Sequence, residues 1–108
     1  MYRQGDVLIV PVAEETAQPW AARWQPAPRD RRGRMVLALG EVTGHAHAIT
    51  SPGKLFHDPH TPNAMVLHLP EGGRVVHEEH AAIGLPEGWY RVVRQREYVP
   101  GSVRIVAD

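Results

Sequence analysis

The stretch Ala64-Met65-Val66-Leu67-His68-Leu69-Pro70-Glu71-Gly72-Gly73-Arg74-Val75-Val76-His77 decides the fold class. Two short runs rich in apolar and β-branched residues flank a Pro-Glu-Gly-Gly turn. That is the layout of a strand, a hairpin-like turn and a second strand. The same punctuation recurs on both sides. Residues 6–12 read as a buried first strand, with Pro11 marking an edge or a strand end. Residues 35–39 form a strand that stops at Gly40, and residues 46–50 form another after the Gly44 turn. Ser51-Pro52-Gly53 turns the chain into a short strand at 54–57. Leu85-Pro86-Glu87-Gly88 turns it again into residues 89–99, the longest strand expected. Pro100-Gly101 ends that run, and residues 103–106 close the chain as a last strand.

Only residues 13–34 break this rhythm. Pro19, Pro26 and Pro28 punctuate a segment without strand period. Residues 13–23 are compatible with a short helix that sets Trp20 and Trp24 on one face. Arg29-Asp30-Arg31-Arg32-Gly33-Arg34 follows, with four arginines in six residues. It reads as a solvated loop or as a contact for phosphate or RNA. The expectation is therefore an all-β domain, a small β-barrel or β-sandwich of about seven to eight short strands, with one irregular or short-helical insertion.

The 108 residues are enough for one core and too few for two, so the whole chain, 1–108, is expected to be a single domain. Its 43% apolar content is that of a folded globule. No apolar run approaches the ~20 residues that cross a bilayer. The N-terminus enters a strand directly, without a signal-peptide layout, so the expected location is cytoplasmic. There is no cysteine, which excludes disulfides, thiolate nucleophiles and cysteine-ligated metals. Twelve basic residues balance twelve acidic ones, and all the basic residues but Lys54 are arginine. A neutral chain is not a bulk nucleic-acid coat, although it can still grip a phosphate locally.

Seven histidines remain, and their placement is informative. His45 and His47 stand two apart, so on a strand both rings face one side, close enough to share an ion. Gly44 before them allows a tight turn, and Glu41 stands four residues upstream as a carboxylate ligand or base. His77-Glu78-Glu79-His80 lies at a strand end. On a regular strand His77 and His80 point oppositely, and the stretch reads either as a charged, solvated turn or, if a bend or bulge turns one of them in, as two carboxylates beside two imidazoles. Arg94, Arg96 and Tyr98 alternate along a strand and share a face, a surface suited to holding an anion or stabilising a transition state. His68 reads as a core or cross-strand histidine, and His57 and His60 as loop groups.

The turn into His45-Ala46-His47 resembles part of the metal motif of the cupins. Those are small β-barrels in which two such histidines, a downstream glutamate and a later histidine hold a transition metal. The resemblance covers residues 40–47 and implies a barrel with His45 and His47 as ligands. The chain departs from the motif after it: residues 48–54 contain no glutamate, and no histidine follows Pro86-Glu87-Gly88.

Three readings stay open. In the first, His45, His47 and His80 hold a divalent metal (Zn, or Fe, Mn or Ni). Glu41, His77 and Glu78 then act as base or supporting groups in a hydrolytic site for a small anionic or phosphoester substrate. In the second, histidine acid–base catalysis cleaves RNA or another phosphoester without metal, supported by Arg94, Arg96 and Tyr98. In the third, the chain is a binding or assembly module, and Trp20 and Trp24 form a partner surface. Exposed edge strands also make a homodimer conceivable.

Overall fold

A computed structural model describes residues 1–40, 43–61 and 64–94, together with the strands Arg96–Val99 and Ser102–Ile105. Its strands, in chain order, are β1 (Tyr2–Gln4), β2 (Val7–Val12), β3 (Gln25–Pro26), β4 (Met35–Leu39), β5 (Ala46–Ile49), β6 (Lys54–His57), β7 (Met65–Leu69), β8 (Gly73–Val75), β9 (Ile83–Leu85), β10 (Gly88–Arg94), β11 (Arg96–Val99) and β12 (Ser102–Ile105). A single helix among the described residues, α1 (Glu14–Arg23), lies between β2 and β3. The all-β reading with a short-helical insertion therefore holds. Of the two architectures expected, a closed barrel is not formed. The main sheet runs β1-β2-β10-β7-β6-β3, and the ladders β4-β5, β8-β9 and β11-β12 are separate from it.

Alternation along the strands builds the core. Val7 and Ile9 of β2, Tyr90 and Val92 of β10, and Leu67 and Leu69 of β7 point to one side. There they meet Met35 and Leu37 of β4, Ile49 of β5, Val75 of β8 and Leu85 of β9 in one buried cluster. The β4-β5 and β8-β9 ladders thus close over the inner face of the main sheet. They are tied to each other by Ala48 and Val76, whose backbones exchange hydrogen bonds of 3.0 and 2.9 Å. Helix α1 lies against β7 and β10. Ala17 and Val66 are fully buried there, outside the core cluster. Glu14 and Glu15 in its first turn and Arg23 in its last complement the helix dipole.

Several boundaries differ from the sequence reading for definite reasons. The first strand is a hairpin: β1 pairs antiparallel with β2, Gln4 opposite Val7, around a two-residue Gly5-Asp6 turn. Gly5 has φ 57, the positive angle such a turn demands. Pro11 sits in a strand that is interior to the sheet. However, β1 covers only residues 7–9 of β2, so the missing N–H of Pro11 faces no strand on that side. The Pro70–Gly73 turn does not make a hairpin. β7 pairs with β6 and β10, whereas β8 pairs with β9, so the turn carries the chain from one layer to the other. The run at 89–99 is divided between two ladders. Arg94 of β10 stands opposite Val7 of β2, whereas Arg96 and Tyr98 of β11 stand opposite Ile105 and Val103 of β12. The three do not form one continuous face of one sheet. Among the described residues no helix is long and apolar enough to cross a membrane.

Candidate metal centre

The hydrophobic core leaves a polar knot at one end of the molecule, where the β1–β2 turn, the start of β5 and the 77–80 bend come together. Four of the seven histidines meet there. The His77 ring is the hub, with centroids 5.6 Å from His45, 4.3 Å from His47 and 4.6 Å from His80. His47 and His80 stack at 5.9 Å. The local backbone explains the gathering. His45 directly precedes β5 and His47 lies within it, and both rings come beside that of His77. The Ala48–Val76 bridge then brings the end of β8 alongside β5, so the chain after Val76 emerges next to those two rings.

The 77–80 bend is fastened by its own side chain. His77 Nδ1 accepts hydrogen bonds from the backbone N–H of Glu79 (3.0 Å) and of His80 (3.3 Å). A nitrogen that accepts carries no proton, so in neutral His77 the proton resides on Nε2, and the ring can ligate an ion through Nε2 only when that proton is displaced. Glu78 is fastened as well. Its Oε1 accepts from the Ala46 N–H at 2.9 Å. That bond is the main reason its carboxyl titrates below the usual range, with His45 and His77 adding smaller contributions. Glu79 Oε1 lies 3.6 Å from His45 Nδ1.

His47 is fully buried and held from behind. Its Nδ1 is 2.8 Å from Gln4 Oε1. The Gln4 amide nitrogen donates to two carbonyls, Val75 (3.2 Å) and Ala81 (2.8 Å), so the oxygen of that amide must be the atom facing His47. His47 Nδ1 therefore donates, and the lone pair of the neutral ring is on Nε2. Nε2 faces Asp6 Oδ1 at 3.6 Å. Asp6 is itself buried, and its Oδ2 accepts from Arg94 Nε at 2.7 Å. An imidazole with one nitrogen donating to a fixed oxygen and the other turned inward is how metal-ligating histidines are commonly oriented.

His45, His77 and Glu78 each offer a ligand atom, and these atoms lie within 4.8 Å of one another. His45 Nδ1 and His80 Nε2 are buried without a hydrogen-bond partner among the described residues. Imidazole and carboxylate donors without cysteine suit Zn²⁺, Fe²⁺, Mn²⁺ or Ni²⁺, so the residues present fit a divalent transition ion.

The residues singled out from sequence divide into three groups. His45, His47, His77, Glu78 and His80 converge. Glu41 lies outside the described residues, as do the side chains of Arg96 and Tyr98. Arg94 joins the site in a different capacity from the one expected. It is no open anion surface, because its guanidinium neutralises buried Asp6 from behind the histidines. Gln4, Gly5 and Asp6 were missed altogether. Their only signal is a polar pair around a glycine between two apolar stretches, which announces a turn and says nothing of what the turn will touch. Away from the knot, His68 stacks on Trp89 across the β7–β10 ladder at 4.0 Å, the cross-strand role expected of it. Trp20 and Trp24 stack on each other at 5.7 Å.

Residues 3–95 match the family described as Domain of unknown function (DUF8820). The matched span runs from β1 through β10 and contains every residue of the histidine knot. No curated protein and no solved structure matches the chain.

Proposed function

The chain belongs to the DUF8820 family, and we propose that it binds a divalent transition metal ion in the histidine knot and uses it for hydrolysis. The observation that carries this reading is the convergence of His45, His77 and Glu78, with ligand atoms within 4.8 Å of one another. The His47 and His80 rings lie beside His77, with centroids 4.3 and 4.6 Å from it, outside that group of three. Glu78 supplies negative charge at neutral pH, since its carboxyl is held below the usual range. The Gln4 and Asp6–Arg94 contacts fix His47 from outside, the supporting arrangement that tunes ligand histidines. An ion in such a site supplies water activation, lowering the pKa of bound water toward about 7.

The experiment is metal content by plasma mass spectrometry on tag-free protein, with the His45→Ala/His77→Ala variant purified alongside. Near-stoichiometric metal in the parent and none in the variant is the expected result. A parent that stays metal-free after incubation with Zn²⁺, Fe²⁺, Mn²⁺ and Ni²⁺ sinks the reading.

One observation favours a second reading. The two amide bonds to His77 Nδ1 keep its proton on Nε2, which suits a neutral hydrogen-bond donor to a phosphoester oxygen while other histidines of the knot serve as acid and base without metal. Phosphoester cleavage that persists in EDTA, with a bell-shaped pH profile, distinguishes it from the first.

A further inference from the structure

A groove of about 200 Å³ opens beside the knot, lined by Arg32, Arg34, Ala46, Val76, His77 and Glu78. It joins the arginine-rich loop to two of the three converging groups. The loop is not the loose basic tether its composition suggests. Arg29 is spent on structure: its Nη1 donates to the Gly33 carbonyl at 2.8 Å and its Nη2 to the Ser51 carbonyl at 2.8 Å, which pins the loop to the β5–β6 turn. Asp30 gathers the rest. Its carboxylate accepts from the backbone N–H of Arg32 (3.0 Å) and Arg34 (2.8 Å), and from Arg34 Nε (2.8 Å). Arg34 is thereby held by its Nε, and the residue lines the groove. Arg32 is exposed, and its guanidinium makes no hydrogen bond or ion pair among the described residues.

Two arginines lining one groove, one of them held by Asp30, are the residue types that bind phosphate. The volume lies below the ~300 Å³ at which drug-sized ligands are usually held, so it suits a single oxyanion group. Glu78 also lines the groove and opposes an anion unless a cation offsets its charge. We propose that this groove binds the phosphoryl group of the substrate, with Arg32 and Arg34 as its anion clamp. The His77/Glu78 side presents the ion, which rests on the metal reading above. The phosphoryl group belongs either to free phosphate or to a phosphoester, and the two sources are compared directly in the test.

The test is calorimetric titration of inorganic phosphate, and separately of phenyl phosphate, into the full chain with and without stoichiometric Zn²⁺. The proteins are the parent, Arg32→Gln, Arg32→Gln/Arg34→Gln and the control Arg31→Gln. The expected result is phosphate affinity in the parent that falls at least tenfold in Arg32→Gln and further in the double variant. Arg31→Gln is expected to bind as the parent does, and zinc content to be equal in all four. Arg32→Gln leaves every Asp30 bond in place, so its loss is not one of folding. Tighter binding of phenyl phosphate than of phosphate identifies the ester as the source, and the reverse identifies the free ion. Arginine-dependent phosphate binding in a protein that takes up no zinc keeps the clamp and discards the metal reading. Equal phosphate affinity in parent and Arg32→Gln, or no phosphate binding by the parent in either state, overturns the clamp.

Discussion

Gln4 and His47 are 43 residues apart in the chain, yet their side chains meet in the interior at 2.8 Å, Oε1 to Nδ1. The contact ties the first hairpin to β5 and selects the tautomer of a buried imidazole. Gln4→Leu removes it along with two bonds to carbonyls. The expected cost is about 1–3 kcal/mol of stability from polar groups left unsatisfied in the interior. A further tenfold to hundredfold loss of metal affinity, roughly what removal of such supporting contacts brings, is expected as well. Urea unfolding measures the first and competitive zinc titration the second. A variant that loses stability but binds zinc as the parent does assigns Gln4 to folding alone.

Gly5 and Gly33 make a matched pair. Both have positive φ, 57 and 75. A Cβ on Gly5 meets His80 Nε2 at 2.7 Å, whereas a Cβ on Gly33 meets nothing within 4 Å. Alanine at either position carries the backbone penalty of about 1–2 kcal/mol for a left-handed L-residue. Only Gly5→Ala also displaces His80. Equal loss of stability in the two variants, with loss of metal confined to Gly5→Ala, is the expected pattern. Equal metal content in both excludes His80 from the site.

Asp6 and Arg94 form a buried ion pair at 2.7 Å. Arg94→Met leaves the Asp6 carboxylate in the interior without its cation, at an expected cost of about 3–5 kcal/mol. Asp6→Asn/Arg94→Met removes both charges and should recover part of that loss. A double variant less stable than Arg94→Met alone shows that Asp6 is held mainly by groups other than the arginine.

Asp30 organises the clamp loop, and its carboxyl sits below its usual value. The backbone bond from Arg34 is the largest cause, and the Arg34 side chain and the Arg32 backbone add to it. The folded pKa is thus lower than the unfolded one. The stabilisation it represents is complete above the ordinary value of 3.8 and is lost as pH falls through the depressed value. A carboxyl NMR titration should place the Asp30 midpoint below 3.8. In Asp30→Asn the loop should lose its acid sensitivity, and the Arg34 side chain its fixed orientation. A midpoint at or above the ordinary value means that the loop is not closed around Asp30 in solution.

Period and punctuation were sufficient for much of this molecule. Alternating apolar residues at 65–69 and 88–94 are strands because one face must be buried. Glycine and proline mark their ends because few other residues accept the turn geometry. Even the inward bend at 77–80 is written in short range, for it is closed by His77 on the amides of the residues that follow it.

What the chain order does not contain is which strands become neighbours. Residues 89–99 look like one strand, and only the pairing of β10 with β2 and of β11 with β12 separates Arg94 from Arg96 and Tyr98. That pairing converts Arg94 from an apparent anion site into the buried counterion of Asp6. It leaves the role of anion clamp to Arg32 and Arg34, which the fold carries to the groove beside His77. Gln4 and Asp6 gained their place in the same way, when the first hairpin packed under β5. These meetings depend on contacts closed over dozens of residues. Each is decided by how the whole set of apolar faces buries itself at once, and no single segment records the result.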